Sequence, residues 1–151
     1  LAKTLANGGL PLAEVTFRTA AAADAIRNIA TEMPEMLVGA GTVLTEKQVE
    51  LTKEAGGKFI ISPNTDKAVI EKTRALSLVS MPGAFSPTEI CDAYKYGADF
   101  VKLFPADQTP SLLERVFALG NNRISYYAAE TLLSAENTAE PNSEGTSMIL
   151  G

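Results

Sequence analysis

The alternation of short β-type runs with helix-type stretches is the feature that most limits how this chain can fold. Successive β-rich runs lie roughly 22 residues apart, the length of one strand, two short loops and one helix. Strands separated by helices pair in parallel, so the pattern predicts an α/β fold, either a (β/α)8 barrel or a doubly wound sheet. The predicted strands are Leu12 to Phe17, Met36 to Ala40, Lys58 to Ile61, Leu76 to Met81, Asp99 to Phe104, Arg123 to Tyr127 and Ser147 to Leu150.

The stretches between these strands carry residues that typically begin and end helices. Thr45 and Ser86 are predicted to cap helix starts, and Gly56 and Gly97 to follow helix ends. The helices predicted in this way include AAADAIRNIATE, TEKQVELTKEAG and SPTEICDAYKYG.

The chain is short for a complete barrel. It has 151 residues, whereas full barrels need about 200 or more. The opening LAKTLANGG resembles the end of a helix that stops at Gly8 or Gly9, which would follow a strand that this sequence does not contain. In the polar segment SAENTAEPNSEG, Pro141 would break a helix. With no linker dividing the chain, we expect one domain over residues 1–151, a (β/α)8 barrel truncated at its N-terminal strand and at its C-terminal end.

Composition and charge exclude several classes of function. The chain has no histidine, so Ser-His-Asp and Cys-His nucleophile systems and the usual zinc ligands are ruled out. A formal net charge of −5 argues against nucleic acid as a partner. No apolar run approaches the roughly 18 residues that suggest a membrane span. The single cysteine, Cys91, can form no internal disulfide, which fits a reducing cytoplasm.

Two strand faces carry residues that could perform chemistry. In a barrel, catalytic groups lie at the C-terminal ends of strands and point inward. By strand alternation, Lys102 shares a face with Phe100 and Phe104, and Glu14 shares one with Arg18. A desolvated lysine amine can attack a ketone to form an imine, a nearby glutamate can transfer protons, and an arginine can bind a carboxylate. The structural alternative is a buried Lys–Glu pair that closes the core.

Other strand ends are less specific. The glycines of Gly39 to Val43 would let a ligand approach the backbone closely, and Thr42 could offer its hydroxyl and amide to a carboxylate. A simple tight turn explains this segment at least as well. Pro63 and Pro82 follow strands, where each either shapes a pocket wall or only stops a strand.

Five strand-end motifs, taken in order, resemble the 2-keto-3-deoxy-6-phosphogluconate (KDPG) and 4-hydroxy-2-oxoglutarate (KHG) aldolase family. The resemblance extends from Leu1 to about Ala106. It implies a class I aldolase on a barrel, a homotrimer, with pyruvate and an aldehyde as its small-molecule partners and no metal or organic cofactor. The motifs are EVTFRT, VGAGTV, FIISPN, MPGAFSPTE and DFVKLFPA.

The resemblance also implies roles for individual residues. Lys102 matches the Schiff-base lysine of the family, and Glu14 matches its general acid–base. The substrate-binding positions are Arg18 and Thr42, which match residues around the pyruvate carboxylate, and Pro63 and Phe104, which match the pocket wall.

The sequence departs from the family after the lysine strand. Where the family has a Thr-Gly-Gly turn for phosphate, this chain has Ala128 and Ala129, and it ends at SMILG without the family's Gly-Ser. Alanine methyl groups would keep phosphate away from backbone amides that glycines leave open, which tilts the expected preference toward the unphosphorylated substrate. Two other hypotheses stay open: a truncated, catalytically weak homologue that binds a keto acid or a protein, and a phosphosugar isomerase or epimerase.

Overall fold

The computed structural model describes residues 1–104 and the short strand at 126–128. Helices and strands alternate over this part of the chain, as the spacing of the β-rich runs predicts. The helices are α1 (Ala2–Asn7), α2 (Ala22–Glu32), α3 (Glu46–Glu54), α4 (Lys67–Ala75) and α5 (Pro87–Tyr96). The strands are β1 (Leu12–Thr16), β2 (Leu37–Gly41), β3 (Phe59–Ile61), β4 (Val79–Met81), β5 (Gly83–Ala84), β6 (Val101–Leu103) and β7 (Tyr126–Ala128).

All the pairings between these strands are parallel. One sheet has the order β1-β2-β3-β4 and the other has the order β5-β6-β7, so within each sheet every strand lies beside its neighbours in sequence. Parallel neighbours need a crossover connection, and a helix supplies it between successive strands of the first sheet. The prediction of an α/β fold with a parallel sheet is confirmed.

Pro82 separates the two sheets. It is fully buried between β4 and β5, and it has no amide hydrogen to donate to a ladder. Its carbonyl nevertheless accepts a 2.9 Å hydrogen bond from the amide of Lys102. The proline therefore interrupts the strand and at the same time fixes the backbone of β6 beside it.

The main hydrophobic core lies between the first sheet and its helices. Strand residues of this core are Ala13, Val38, Ala40 and Ile60, which pack with Ile26 of α2 and Val49 of α3. Because successive strand residues point to opposite faces, the alternate positions of β1 and β2 face away from these helices. That second face carries the candidate active site.

The predicted helix caps are present. The Thr45 side chain accepts a hydrogen bond from the amide of Gln48, and the Gln48 side chain accepts one from the amide of Thr45. Ser86 and Glu89 form the same pair of hydrogen bonds at the start of α5. Gly97 ends α5 in the left-handed conformation at φ 96°. These local signals were sufficient to place both helices.

The predicted strand at Leu76 to Met81 begins too early. Leu76 follows the last turn of α4, its amide bonds to the carbonyl of Lys72, and Ser77 has a φ of 55°. The strand itself starts at Val79. The apolar side chain of Leu76 packs against the main core from the end of the helix, which gives it the hydrophobicity of a strand residue without the strand conformation.

The other strand boundaries differ by a few residues at most. The run at Asp99 to Phe104 forms a strand only over Val101–Leu103, and the run at Arg123 to Tyr127 forms one over Tyr126–Ala128. The predicted strand Ser147 to Leu150, the segment containing Pro141 and the position of Ala129 lie outside the described residues. Over the described part of the chain, no helix is long and apolar enough to cross a membrane.

Candidate active site

Lys102 is the central residue of β6 and is half-buried. Its amide bonds to Pro82, and it is the register partner of Gly83 on one side and of Tyr127 on the other. Its Nζ lies 4.9 Å from the centre of the Phe104 ring. Of the two aromatic residues predicted to share its face, only Phe104 contacts the amine, because Phe100 is 40% exposed and makes no cation–π contact with the lysine.

Glu14 lies in the middle of β1, on the face turned away from the helices. It is half-buried, and the charges of Lys102 and Arg18 both act on its carboxyl group. Among the described residues neither cation forms an ion pair with it. A Lys–Glu pair in direct contact, the structural alternative for these residues, is therefore not what this part of the molecule contains.

Burial dominates the ionisation of Glu14. It raises the pKa of the carboxyl group, because a buried site disfavours the charged form, while the positive charges of Lys102 and then Arg18 lower it by a smaller amount. The net result is a pKa above the ordinary value of a glutamate. A carboxyl group of this kind is better matched to proton transfer near neutral pH than an exposed one.

Three further predicted residues lie just beyond the carboxyl ends of β1, β3 and β6. Arg18 is exposed just after β1, Pro63 is half-buried two residues after β3, and Phe104 follows β6. In a parallel arrangement these ends share one edge, which is where ligands bind in sheets of this type. The structure thus brings the predicted residues to one side of the molecule.

Thr42 has the most unusual backbone of the predicted site. Its φ is 57°, in the left-handed region that β-branched residues rarely adopt. Hydrogen bonds on both sides of Thr42 maintain this conformation. The amide of Phe17 donates to the carbonyl of Gly41 at 2.8 Å, and the amide of Val43 donates to the carbonyl of Ile61 at 3.2 Å. Strained residues of this sort concentrate at functional sites, where the surrounding structure holds them in place.

The glycines that precede Thr42 do not leave the backbone open as expected. The space where a side chain on Gly39 would lie is occupied by the ring of Phe59, and the corresponding space at Gly41 is occupied by the carboxyl group of Glu14. Protein groups fill both positions. The sequence analysis did not predict that Gly41 makes room for the Glu14 carboxyl group. The pattern that could have indicated it is the pair of glycines two residues apart, Gly39 and Gly41, on the strand next to Glu14.

A loop contact supports the strand beside Lys102. The Thr65 hydroxyl donates a 2.8 Å hydrogen bond to the carbonyl of Gly83, the register partner of Lys102. A side chain on Gly83 would collide with the backbone of Pro63 and Asn64. Neither Thr65 nor Gly83 was singled out from the sequence. Within the part of the chain that the structure describes, no cluster of acidic or cysteine side chains could hold a metal ion.

The chain and its fold are similar to those of known proteins. A family model described as KDPG and KHG aldolase matches residues 1–121 of the chain. The chain belongs to the KDPG and KHG aldolase family. The resemblance that the five motifs indicated is confirmed.

Individual members of the KDPG and KHG aldolase family show how far the similarity extends. A 2-dehydro-3-deoxy-phosphogluconate aldolase of Haemophilus influenzae is 43% identical over 107 residues, which is 71% of this chain and 50% of that relative. The chain therefore spans about half the length of the curated relatives it matches.

Two solved aldolases of the same family have similar structures. The 2-keto-3-deoxy-6-phosphogluconate aldolase of Zymomonas mobilis ZM4, solved with 3-phosphoglycerate, superimposes with a TM-score of 0.76 at 31% identity, over 87% of this chain and 63% of that one. The KDPG aldolase of Legionella pneumophila, with pyruvate captured as a covalent carbinolamine, gives a TM-score of 0.76 at 27% identity, over 84% of this chain and 62% of that one.

Proposed function

We propose that the protein is a class I aldolase in which Lys102 forms a Schiff base with the keto group of its substrate. The observation that carries this proposal is that the half-buried Lys102 of β6 lies near enough to the half-buried Glu14 of β1 for its charge to act on the glutamate carboxyl group. The substrates we propose are KDPG, cleaved to pyruvate and glyceraldehyde 3-phosphate, and KHG, cleaved to pyruvate and glyoxylate. Both reactions are reversible.

The proposed chemistry requires one nucleophile and one proton carrier. The neutral Lys102 amine adds to C2 of the keto acid, and the resulting carbinolamine loses water to give a protonated imine. Glu14 takes the proton of the C4 hydroxyl, the C3–C4 bond breaks, and its electron pair flows into the imine to leave an enamine and the free aldehyde. Glu14 then returns a proton to C3, and water hydrolyses the imine to release pyruvate.

The remaining predicted residues are proposed to hold the substrate. Arg18 is an exposed guanidinium without an ion-pair partner in the described part of the chain, so it can bind the substrate carboxylate at two points. The strained Thr42 would add its hydroxyl and amide at the same group. Pro63 and Phe104 would form the wall of the pocket, and the Phe104 ring already lies against the lysine amine.

We also propose a wider context for this site. The parallel strands would belong to a (β/α)8 barrel that forms one domain, of which residues 1–151 are a part, and the similarity to barrel aldolases supports this. The family resemblance suggests a homotrimer, and the single cysteine, Cys91, suits a cytoplasmic location. Ala128, at the end of β7 where the family has a phosphate-binding turn, favours KHG over the phosphorylated substrate.

A second candidate function is a catalytically weak homologue that binds a keto acid. Its support is the change at Ala128. Against it stands the presence together of Lys102, Glu14, Arg18 and Thr42, since relaxed selection would be expected to alter some of them.

Borohydride reduction in the presence of pyruvate tests the proposal. Reduction converts an imine into a stable secondary amine, and peptide mass spectrometry then locates the adduct. We expect it on Lys102 in the parent protein and expect none in Lys102→Arg, which keeps the charge. Lys95→Arg, on the exposed side of α5, is the matched control and should label as the parent does.

The outcomes separate the candidate functions. An adduct on Lys102 together with cleavage of KDPG or KHG supports the aldolase. An adduct without cleavage of either substrate favours the weak homologue. Folded protein that gives no adduct would sink both the imine chemistry and the role of Lys102.

A further inference from the structure

The position of the Glu14 carboxyl group depends on a residue of the neighbouring strand. In the register of β1 and β2, Glu14 is paired with Gly39, and Gly41 is paired with Thr16, two residues further along. The Glu14 side chain leans along the strand until its carboxyl group lies over Gly41. A methyl group built on Gly41 would overlap its Oε1 atom and lie 2.5 Å from Cδ and 2.8 Å from Cγ.

The two glycines of β2 accommodate different partners. A methyl group on Gly39 would overlap the ring of Phe59 and lie 2.6 Å from its Cδ1 atom. That ring is buried in β3 and has no free end to swing away. The carboxyl group over Gly41, in contrast, is the end of a flexible side chain. Substitution of Gly39 therefore tests packing against Phe59, whereas substitution of Gly41 tests the placement of the Glu14 carboxyl group.

We propose that Gly41 is the positioning residue for Glu14: by lacking a side chain, it provides the space in which the carboxyl group is held within reach of the charges on Lys102 and Arg18. The inference rests on the proposed function, because it assigns Gly41 to the proton-transfer step. Gly41 itself touches no substrate in this scheme.

Substitution of Gly41 should move the carboxyl group rather than unfold the protein. Gly41 is not among the glycines with positive φ, so its backbone conformation is open to alanine. The least costly adjustment is a rotation of the Glu14 side chain away from β2. A carboxyl group displaced by about 1 Å from its productive position can lower a reaction rate by about 100-fold.

Exchange of the methyl protons of pyruvate for deuterium, followed by NMR, measures the step assigned to Glu14. For Gly41→Ala we expect the exchange rate at saturating pyruvate to fall by about 100-fold, with little change in the pyruvate concentration that gives half the maximal rate. Thermal unfolding should remain close to that of the parent. Gly39→Ala should instead lower the unfolding temperature, through the Phe59 ring. Gly8→Ala, with only ordinary 3.4 Å contacts, should change neither quantity.

A double variant distinguishes action through Glu14 from an independent effect. If Gly41 acts only by placing the carboxyl group, adding Gly41→Ala to Glu14→Gln should cause no further loss of exchange. Losses that multiply, or a folded Gly41→Ala protein whose exchange rate stays within threefold of the parent, would overturn the inference. If Gly41→Ala does not fold, folding of Glu14→Ala/Gly41→Ala supports the inference, and failure of that double variant to fold overturns it.

Failure of the proposed function would be visible separately. A parent protein that forms no pyruvate adduct contradicts the aldolase, whatever Gly41 does. The placement of Glu14 is then read from a 13C NMR titration of its carboxyl group, which Lys102 and Arg18 both influence. A titration that is the same in the parent and in Gly41→Ala overturns the role of Gly41; a changed titration supports it.

Discussion

The carboxylate of Asp99 accepts a 2.8 Å hydrogen bond from the backbone amide of Ser80. The amides of Asp99 and Phe100 bond in return to the Ser80 carbonyl, at 3.0 and 3.1 Å. These three bonds hold Asp99 and Phe100, the residues just before β6, against β4. Asp99 lies three residues before Lys102. The carboxylate also binds Arg74 at the end of α4, at 2.7 Å. One acidic residue thus connects the strand that carries the candidate nucleophile to its neighbours.

Asp99→Ala is expected to destabilise the protein by about 1–3 kcal/mol, because it leaves the Ser80 amide without its charged partner. Arg74→Ala removes only the ion pair between half-exposed groups and should cost less than about 1 kcal/mol. Chemical denaturation of both variants measures the difference. Equal losses would mean that the ion pair, and not the bond to the backbone, provides the stability.

Thr42→Gly should stabilise the fold and weaken keto-acid binding. Glycine adopts a φ of 57° without the steric cost that a β-branched residue carries, a cost of about 1 kcal/mol or more. The substitution also removes the hydroxyl proposed to meet the substrate carboxylate. Thermal unfolding and pyruvate titration give the two measurements.

Ser77→Gly is the matched control for Thr42→Gly. Ser77 has a φ of 55° but lies between α4 and β4, at the opposite ends of the strands from the site. The Ser77→Gly variant should unfold at a higher temperature than the parent and bind pyruvate with unchanged affinity. Equal effects of the two variants on affinity would contradict a binding role for Thr42.

Local signals in the sequence were enough to predict where α3 and α5 begin and end. The caps at Thr45 and Ser86 and the left-handed Gly97 each depend on a few adjacent residues, so they can be recognised without knowledge of the fold. The boundary at Leu76 could not be recognised in this way. Its apolar side chain packs against the main core from a helix end, and only the folded structure distinguishes that from a strand.

Strand alternation predicts which residues share one face of a strand, but it cannot predict the contacts between neighbouring strands. Alternation assigns Lys102 to the face of β6 that also carries Phe104, and Glu14 to the face of β1 that precedes Arg18. The pKa of Glu14 is raised, which is the direction that burial requires. The fit of Glu14 over Gly41 depends on the register between β1 and β2, which no pattern within either strand reveals. The same is true of the contact between Thr65 and Gly83.

Glu14→Gln should lower the rate of methyl-proton exchange by about 10²–10⁴-fold and become more stable relative to the parent as the pH rises. Because burial raises the pKa of Glu14 in the folded state, its contribution to stability is fully present below the unfolded pKa of about 4.3. That contribution is lost as the pH rises through the folded pKa. The free energy of unfolding of Glu14→Gln, relative to the parent, should therefore increase over this window and then level off. A difference in the free energy of unfolding that does not vary with pH would contradict a raised pKa of Glu14 in the folded protein.

Glu89→Gln should show the opposite dependence on pH. The amides of Phe85 and Ser86 and the Ser86 hydroxyl all donate to the Glu89 carboxylate, and these bonds lower its pKa. Its contribution to stability is therefore present above the unfolded pKa of about 4.3 and is lost as the pH falls through the lower, folded pKa. Denaturation curves between neutral and acidic pH should show the parent more stable than Glu89→Gln at neutral pH, with the two converging in acid. Thr88→Gln, an exposed change in the same helical turn, controls for helix propensity and should run parallel to the parent. A Glu89→Gln curve that also runs parallel would mean that the capping bonds do not favour the ionised carboxylate.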